Sequence, residues 1–204
     1  MRKTFYFIRH GQTDLNLKGI VQGKGVDSPL NATGLAQADA FFKAYQAVPF
    51  DKVYTSTLLR TKQTIQAFAD LGIPVDAHPG LDEISWGIYE GQEQDANIMA
   101  GFKDLVGAWR ANKLDHRVEA GESPNEVVIR QKEAIQHILD QADEETVLVC
   151  MHGRALRIML CHLTDVPVSL MDDFPHTNTA LYVLEYEAGK FRVIDHYNIK
   201  HLED

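Results

Sequence analysis

TVLVCMHGRALRIMLCHL, residues 146–163, changes character once. Up to Met151 it is an apolar run suited to a strand buried on both faces. After His152-Gly153 the apolar positions recur at helical spacing to about 163. FYFIRHGQTDLN, residues 5–16, begins the same way: a strand over 3–9 that stops abruptly at Arg9-His10-Gly11. Between the two, DKVYT (51–55) reads as another strand, and the next helix carries Leu58, Thr61, Ile65 and Phe68 on one face. Strands alternating with helices predict an α/β fold: a three-layer α/β/α arrangement with a mainly parallel central sheet.

The remaining segments fit around that frame. Asn31 or Thr33 caps a helix that runs to about 46 with Leu35, Ala38, Phe42 and Tyr45 on one face. LDEISWGIYEG (81–91) is rich in glycine and aromatics and reads as irregular. A weaker helical pattern covers 94–112, so an insertion at about 84–125 is expected to be largely helical. In GESPNEV (121–127), Ser123 and Glu126 have capping-box spacing and Pro124 takes the first helical position. Residues 178–187 and 190–197 form an edge hairpin turning at Ala188-Gly189. The expectation is one domain over 1–204, with that insertion.

The chain carries 20 Lys+Arg against 29 Asp+Glu, a formal charge of −9. That balance argues against general binding to nucleic acid or to an anionic membrane. A small anionic ligand stays compatible if the basic residues cluster. No apolar run approaches the roughly 20 residues that span a bilayer, and the N-terminal run is too short for a signal peptide. Cys150 and Cys161 form no CxxC pair and need not form a disulfide, and Cys150, in a predicted strand, reads as a small buried hydrophobe, so a reducing cytoplasm is the expected location.

In open α/β sheets, ligands sit beyond the carboxyl ends of the strands. Arg9-His10, Ser56 to Arg60, and His152-Gly153 all fall there, and the last two segments open helices, whose N-termini favour anions. Taken singly, His10 is a turn histidine, Arg60 a solvated helix residue, Glu83 a surface carboxylate and His152 a helix cap. His78, His116, His137, His162, His196 and His201 read as structural or surface residues.

RHGQTDLN resembles the RHGxTxxN signature of the histidine phosphatase superfamily, also called phosphoglycerate mutase-like. STLLRT (56–61), LDEI (81–84), CMHGRALR (150–157), DSPLNATGLAQA (27–38) and GES (121–123) resemble its other segments, in its order and over nearly the whole chain. The resemblance implies that His10 attacks phosphorus to give a phosphohistidine that water hydrolyses. One nitrogen of His10 must then keep its proton on an acceptor, expected to be a carbonyl of the turn at Gly11. Arg9 and Arg60 would clamp the phosphoryl oxygens through forked hydrogen bonds, and His152 would donate to the same oxygens. Glu83 is the candidate general acid, two residues after Leu81, with Asp82 its rival. Asn16 and Gln22 are donors for the outer edge of the phosphate, and Gly11 and Gly153 complete the phosphate-binding set. No metal or organic cofactor is required.

One departure from the family pattern is Arg154, where many members have a second glycine. Its amide remains able to face phosphate, while its side chain either binds a second anionic group or points to solvent, with solvent favoured. His176 precedes Thr177-Asn178-Thr179, where the family often has a loop near the site. WGIYEGQ (86–92) and an end soon after the last strand resemble the phosphatase branch, so the expected function is hydrolysis of a small phosphorylated metabolite. A cofactor-dependent phosphoglycerate mutase is the alternative, and a non-catalytic phospholigand-binding protein a more distant one. Specificity is expected to come from the insertion, and the GES segment is similar to that of sugar-phosphate and vitamin-precursor phosphatases.

Overall fold

The computed structural model describes residues 2–93 and 95–203. Residue 94, where the weaker helical pattern begins, lies outside them, as do residues 1 and 204. In chain order the elements are β1 (Arg2–Arg9), α1 (Asp14–Leu17), α2 (Ala32–Tyr45), β2 (Lys52–Thr55), α3 (Leu59–Asp70), β3 (Val75–Ala77), α4 (Ala96–Arg110), α5 (Pro124–Leu139), β4 (Thr146–Met151), α6 (Gly153–Leu163), β5 (Leu181–Glu187) and β6 (Lys190–Asn198). They form one six-stranded sheet in the order β3-β2-β4-β1-β5-β6. β1, β4, β2 and β3 are parallel, while β5 and β6 add an antiparallel edge.

Alternation along β1 explains the three layers. Phe5 and Phe7 pack on one face with Ile135, Ile138 and Leu156 of α5 and α6. Ile8 points to the other face, where Phe41 of α2 and Ile65 and Phe68 of α3 cover it. Asn31 caps α2, and Ser123 and Glu126 form the capping box of α5. The hairpin turns at Ala188 and Gly189, with φ of 51° and 83°, the left-handed pair that matches strand twist. Two elements go beyond the sequence reading. β3 has three residues, too few to show a period, and exists because it pairs with the edge of β2. α1 is a single turn closed by a capping box between Thr13 and Asn16.

Register places the chemistry. Arg9 pairs with Met151 and Thr55 with Cys150, so β1, β2 and β4 end together. His10, Ser56 and His152 follow directly at that edge. Among the described residues, no helix is long and apolar enough to cross a membrane. Cys150 and Cys161 are both buried and unpaired.

Candidate active site

A cavity of about 230 Å³ opens at this edge, lined by Arg9, His10, Arg60 and Glu83 among others. His10 has 3% of its surface exposed. Its Nδ1 lies 2.7 Å from the Gly11 carbonyl. A carbonyl only accepts, so Nδ1 carries the ring proton and Nε2 keeps its lone pair. Burial, then the charges of Arg60 and Arg9, hold His10 well below the ordinary imidazole range, so the ring is neutral near pH 7. The His10 backbone is fixed independently. Its N–H donates to Met151 O, and its carbonyl accepts from Asn178 Nδ2.

His152 lies opposite, with ring centroids 5.1 Å apart. Arg60 Nε donates to His152 Nδ1 at 3.1 Å. That nitrogen is therefore unprotonated, and Nε2 donates to Ser56 Oγ at 2.7 Å. Both ring nitrogens are thus engaged. The expected donation from His152 to a phosphoryl oxygen is not part of this arrangement, and requires the ligand to take the place of Ser56. The reason is local: the buried Arg60 Nε–H needs an acceptor, and an imidazole nitrogen is the one beside it.

The remaining N–H bonds of Arg60 go to the carbonyls of Val26 and Gly23, which aim the guanidinium. Arg9 Nη1 donates to the carbonyl of His176, while its Nε is buried without a partner among the described residues. Loss of hydration, with Arg60 close by, lowers Arg9 to about 10. Two guanidiniums face one cleft, with Arg9 Nε unpaired among the described residues, and offer forked donors to an anion.

Asp82 and Glu83 are separated by their partners. Asp82 accepts from the Thr57 N–H and hydroxyl, away from the cleft. Glu83 lines the cleft, and its two oxygens accept from the amides of Ile84, Arg154 and Ala155. Its backbone is held by Arg130, which bonds the carbonyls of Gly80, Asp82 and Glu83. Glu122 of the GES segment accepts from Arg130, Lys24 and the Ser85 amide, so that motif shapes the acidic segment.

Several sequence expectations change here. The amide of Arg154 faces the Glu83 carboxylate, not a phosphate. The Arg154 side chain turns away from solvent, donating to Asp172 Oδ1 and lying over Trp86 and Trp109. Gly11 is not among the residues lining the cleft, and its N–H goes to Thr64 Oγ1. Its φ is not left-handed. Gly11 is needed because a Cβ there would sit 2.5 Å from the backbone oxygen of Gly34. Gly11→Ala should therefore cost about 1–3 kcal/mol of stability, read as a lower midpoint in urea denaturation; an unchanged midpoint would remove this account.

Gly153 does line the cleft, and a side chain there would press on Arg9 Nε at 3.2 Å. Asn16 Oδ1 accepts from the Thr13 amide and lies 3.4 Å from Asn178 Nδ2, and its own Nδ2, a donor, has no hydrogen-bond partner among the described residues. Gln22 also lines it, with one amide hydrogen on Thr13 Oγ1. Sequence reasoning did not single out Arg157, Trp86, Phe102 or Ile20 as lining residues. For Arg157 a signal existed: it sits three residues after Arg154, on the same helix face.

Residues 5–199 match the family model described as histidine phosphatase superfamily (branch 1). The chain is 26% identical over 193 residues to "Putative phosphoserine phosphatase 2" of Hydrogenobacter thermophilus, covering 94% of each. It is 31% identical over 184 residues to 6-phosphofructo-2-kinase/fructose-2,6-bisphosphatase 1 of Mus musculus, covering 89% of this chain but only 36% of that longer protein. Other relatives are named probable phosphoglycerate mutase. Among solved structures, Bacillus stearothermophilus YhfR superposes with a TM-score of 0.87 at 29% identity, covering 98% of this chain and 100% of that one.

Proposed function

We propose that this chain, which belongs to the histidine phosphatase superfamily, hydrolyses phosphomonoesters of small metabolites through a phosphohistidine formed at His10. The observation that carries the reading is the tautomer of His10, which leaves the Nε2 lone pair free in a cleft flanked by Arg9 and Arg60. In the first step Nε2 attacks phosphorus. The N–P bond forms as the bond to the ester oxygen breaks, and Glu83 gives that oxygen its proton. In the second step water attacks phosphorus, Glu83 takes its proton, and the N–P bond breaks to release inorganic phosphate and neutral His10.

Arg9 and Arg60 stabilise the charge on the transferring group, supported by donors from Asn16 and Gln22. His152 keeps the Arg60 guanidinium aimed, and contributes its own Nε2–H if phosphate displaces Ser56. At about 230 Å³ the cavity falls below the roughly 300–1,000 Å³ of pockets for drug-sized ligands, which suits a small substrate.

Two guanidiniums supply the positive charge that a divalent ion provides in other phosphatases, so the mechanism is proposed to be metal-independent. Incubation with phosphorylated metabolites and excess EDTA should release inorganic phosphate at the same rate as without chelator, with little isomerised product. Predominant isomerisation of phosphoglycerate would favour the mutase reading, which the relatives named as mutases keep in view. A metal-reversible loss of rate would remove the metal-independent mechanism.

A further inference from the structure

Beyond the phosphoryl site, the same cleft holds two more guanidiniums than the transfer reaction uses. Arg154 and Arg157 both line it, and their side chains are only 11% and 8% exposed. Each donates through Nη1 to the same oxygen, Asp172 Oδ1, at 2.6 Å. Arg110 approaches the other oxygen of Asp172 at 3.6 Å, so one carboxylate is shared by three cations. Among the described residues the one carboxylate that lines the cleft, Glu83, offers them little, because its oxygens accept backbone amides.

A purely structural bridge from α6 to residues 168–173 would need a single arginine. It would not leave Arg154 Nε buried and without a partner among the described residues. Burial with incomplete compensation is costly, and a ligand anion offsets that cost. The group is also held rigidly: the Arg154 guanidinium lies 5.8 Å from the Trp86 ring centroid and 5.4 Å from that of Trp109. Trp86 shares the cleft wall with Phe102 of α4. The two arginines are contiguous with the phosphoryl site, since Arg157 Nε reaches back to the carbonyl of Gly153, the residue against which Arg9 packs.

We infer that Arg154 and Arg157 form a second anion subsite, so that the preferred substrates are phosphomonoesters carrying a further anionic group, a carboxylate or a second phosphate. This rests on the phosphatase reading above. Charge supports it: the phosphoryl dianion matches Arg9 and Arg60, while Arg154, Arg157 and Asp172 together leave one positive charge for the second group. Trp86 and Phe102 would cover the carbon skeleton between the two anions.

The test compares matched substrates by release of inorganic phosphate. Phosphoglycerate bearing phosphate on its terminal carbon is set against glycerol phosphate, which replaces the carboxylate by a hydroxymethyl group. Fructose bisphosphate is set against fructose monophosphate. The natural enzyme should favour the doubly anionic member of at least one pair about tenfold or more in kcat/KM, and the pair with the larger ratio identifies the second anion. Arg154→Gln should lower that ratio at least about tenfold, with Arg154→Lys retaining part of it. A ratio within one preparation is independent of how much of the variant folds.

Ratios near one in the natural enzyme, with p-nitrophenyl phosphate still hydrolysed, would overturn the subsite and leave the phosphatase reading standing. A preference that survives Arg154→Gln would overturn it equally. Absence of hydrolysis of every substrate by the natural enzyme would remove the phosphatase reading itself, and the subsite with it.

Discussion

His10→Ala is expected to lower the turnover of p-nitrophenyl phosphate by about 10⁴-fold or more, because it removes the proposed nucleophile of the covalent intermediate. The fold should survive. The hydrogen bond lost is to the neighbouring Gly11 carbonyl, while the bonds that anchor residue 10, from its N–H to Met151 O and from Asn178 to its carbonyl, belong to the backbone. Two measurements check this: the rate, and the trapping of a radiolabelled phosphoenzyme from labelled substrate. The label should be lost in acid and retained in base, as for a phosphoramidate, and absent from the alanine variant. Near-normal hydrolysis, or label retained by the variant, would sink the assignment. On the proposed reading, the same neutral ring would leave the nucleophile available at pH 7, since burial and the adjacent guanidiniums oppose its protonation.

The second large effect concerns Glu83. With an alkyl phosphate, Glu83→Gln should reduce kcat by about 10²–10⁴-fold, the usual worth of a positioned proton donor. With p-nitrophenyl phosphate, whose leaving group departs without a proton, the first step should suffer far less. A phosphoenzyme should then accumulate as a burst, because the amide cannot activate water. The structure adds a second cost. The Glu83 oxygens accept three amide N–H bonds, and in glutamine one oxygen becomes an NH2 group that faces a donor at the start of α6. Thermal denaturation of the variant separates that cost from the chemical one. An equal loss on both substrates with no burst would show that Glu83 acts through the fold alone.

Much of the fold was legible because its signals are local. The apolar runs of β1 and β4, the capping box at Ser123 and Glu126, the Asn31 cap and the Ala188-Gly189 turn each depend on residues within a turn or two of one another. The site was legible one step further. In a parallel sheet the ends of β1, β2 and β4 share an edge, so the segments at 9–10, 56–60 and 152–153 had to meet. β3 escaped because three residues carry no period, and its pairing with β2 is tertiary.

The sequence by itself determined the three-layer architecture and which chain segments converge, since both follow from periodicity and from the direction of parallel strands. Tertiary structure decided which atoms face the ligand. Asp82 and Glu83 are adjacent and chemically alike, yet one bonds Thr57 and the other reaches the amides of Arg154 and Ala155, more than 70 residues away. The orientation of Arg154, the reason for Gly11 and the tautomer of His152 were settled in the same way. A buried polar group takes whichever partner the packing brings within about 3 Å, and no local pattern encodes that partner.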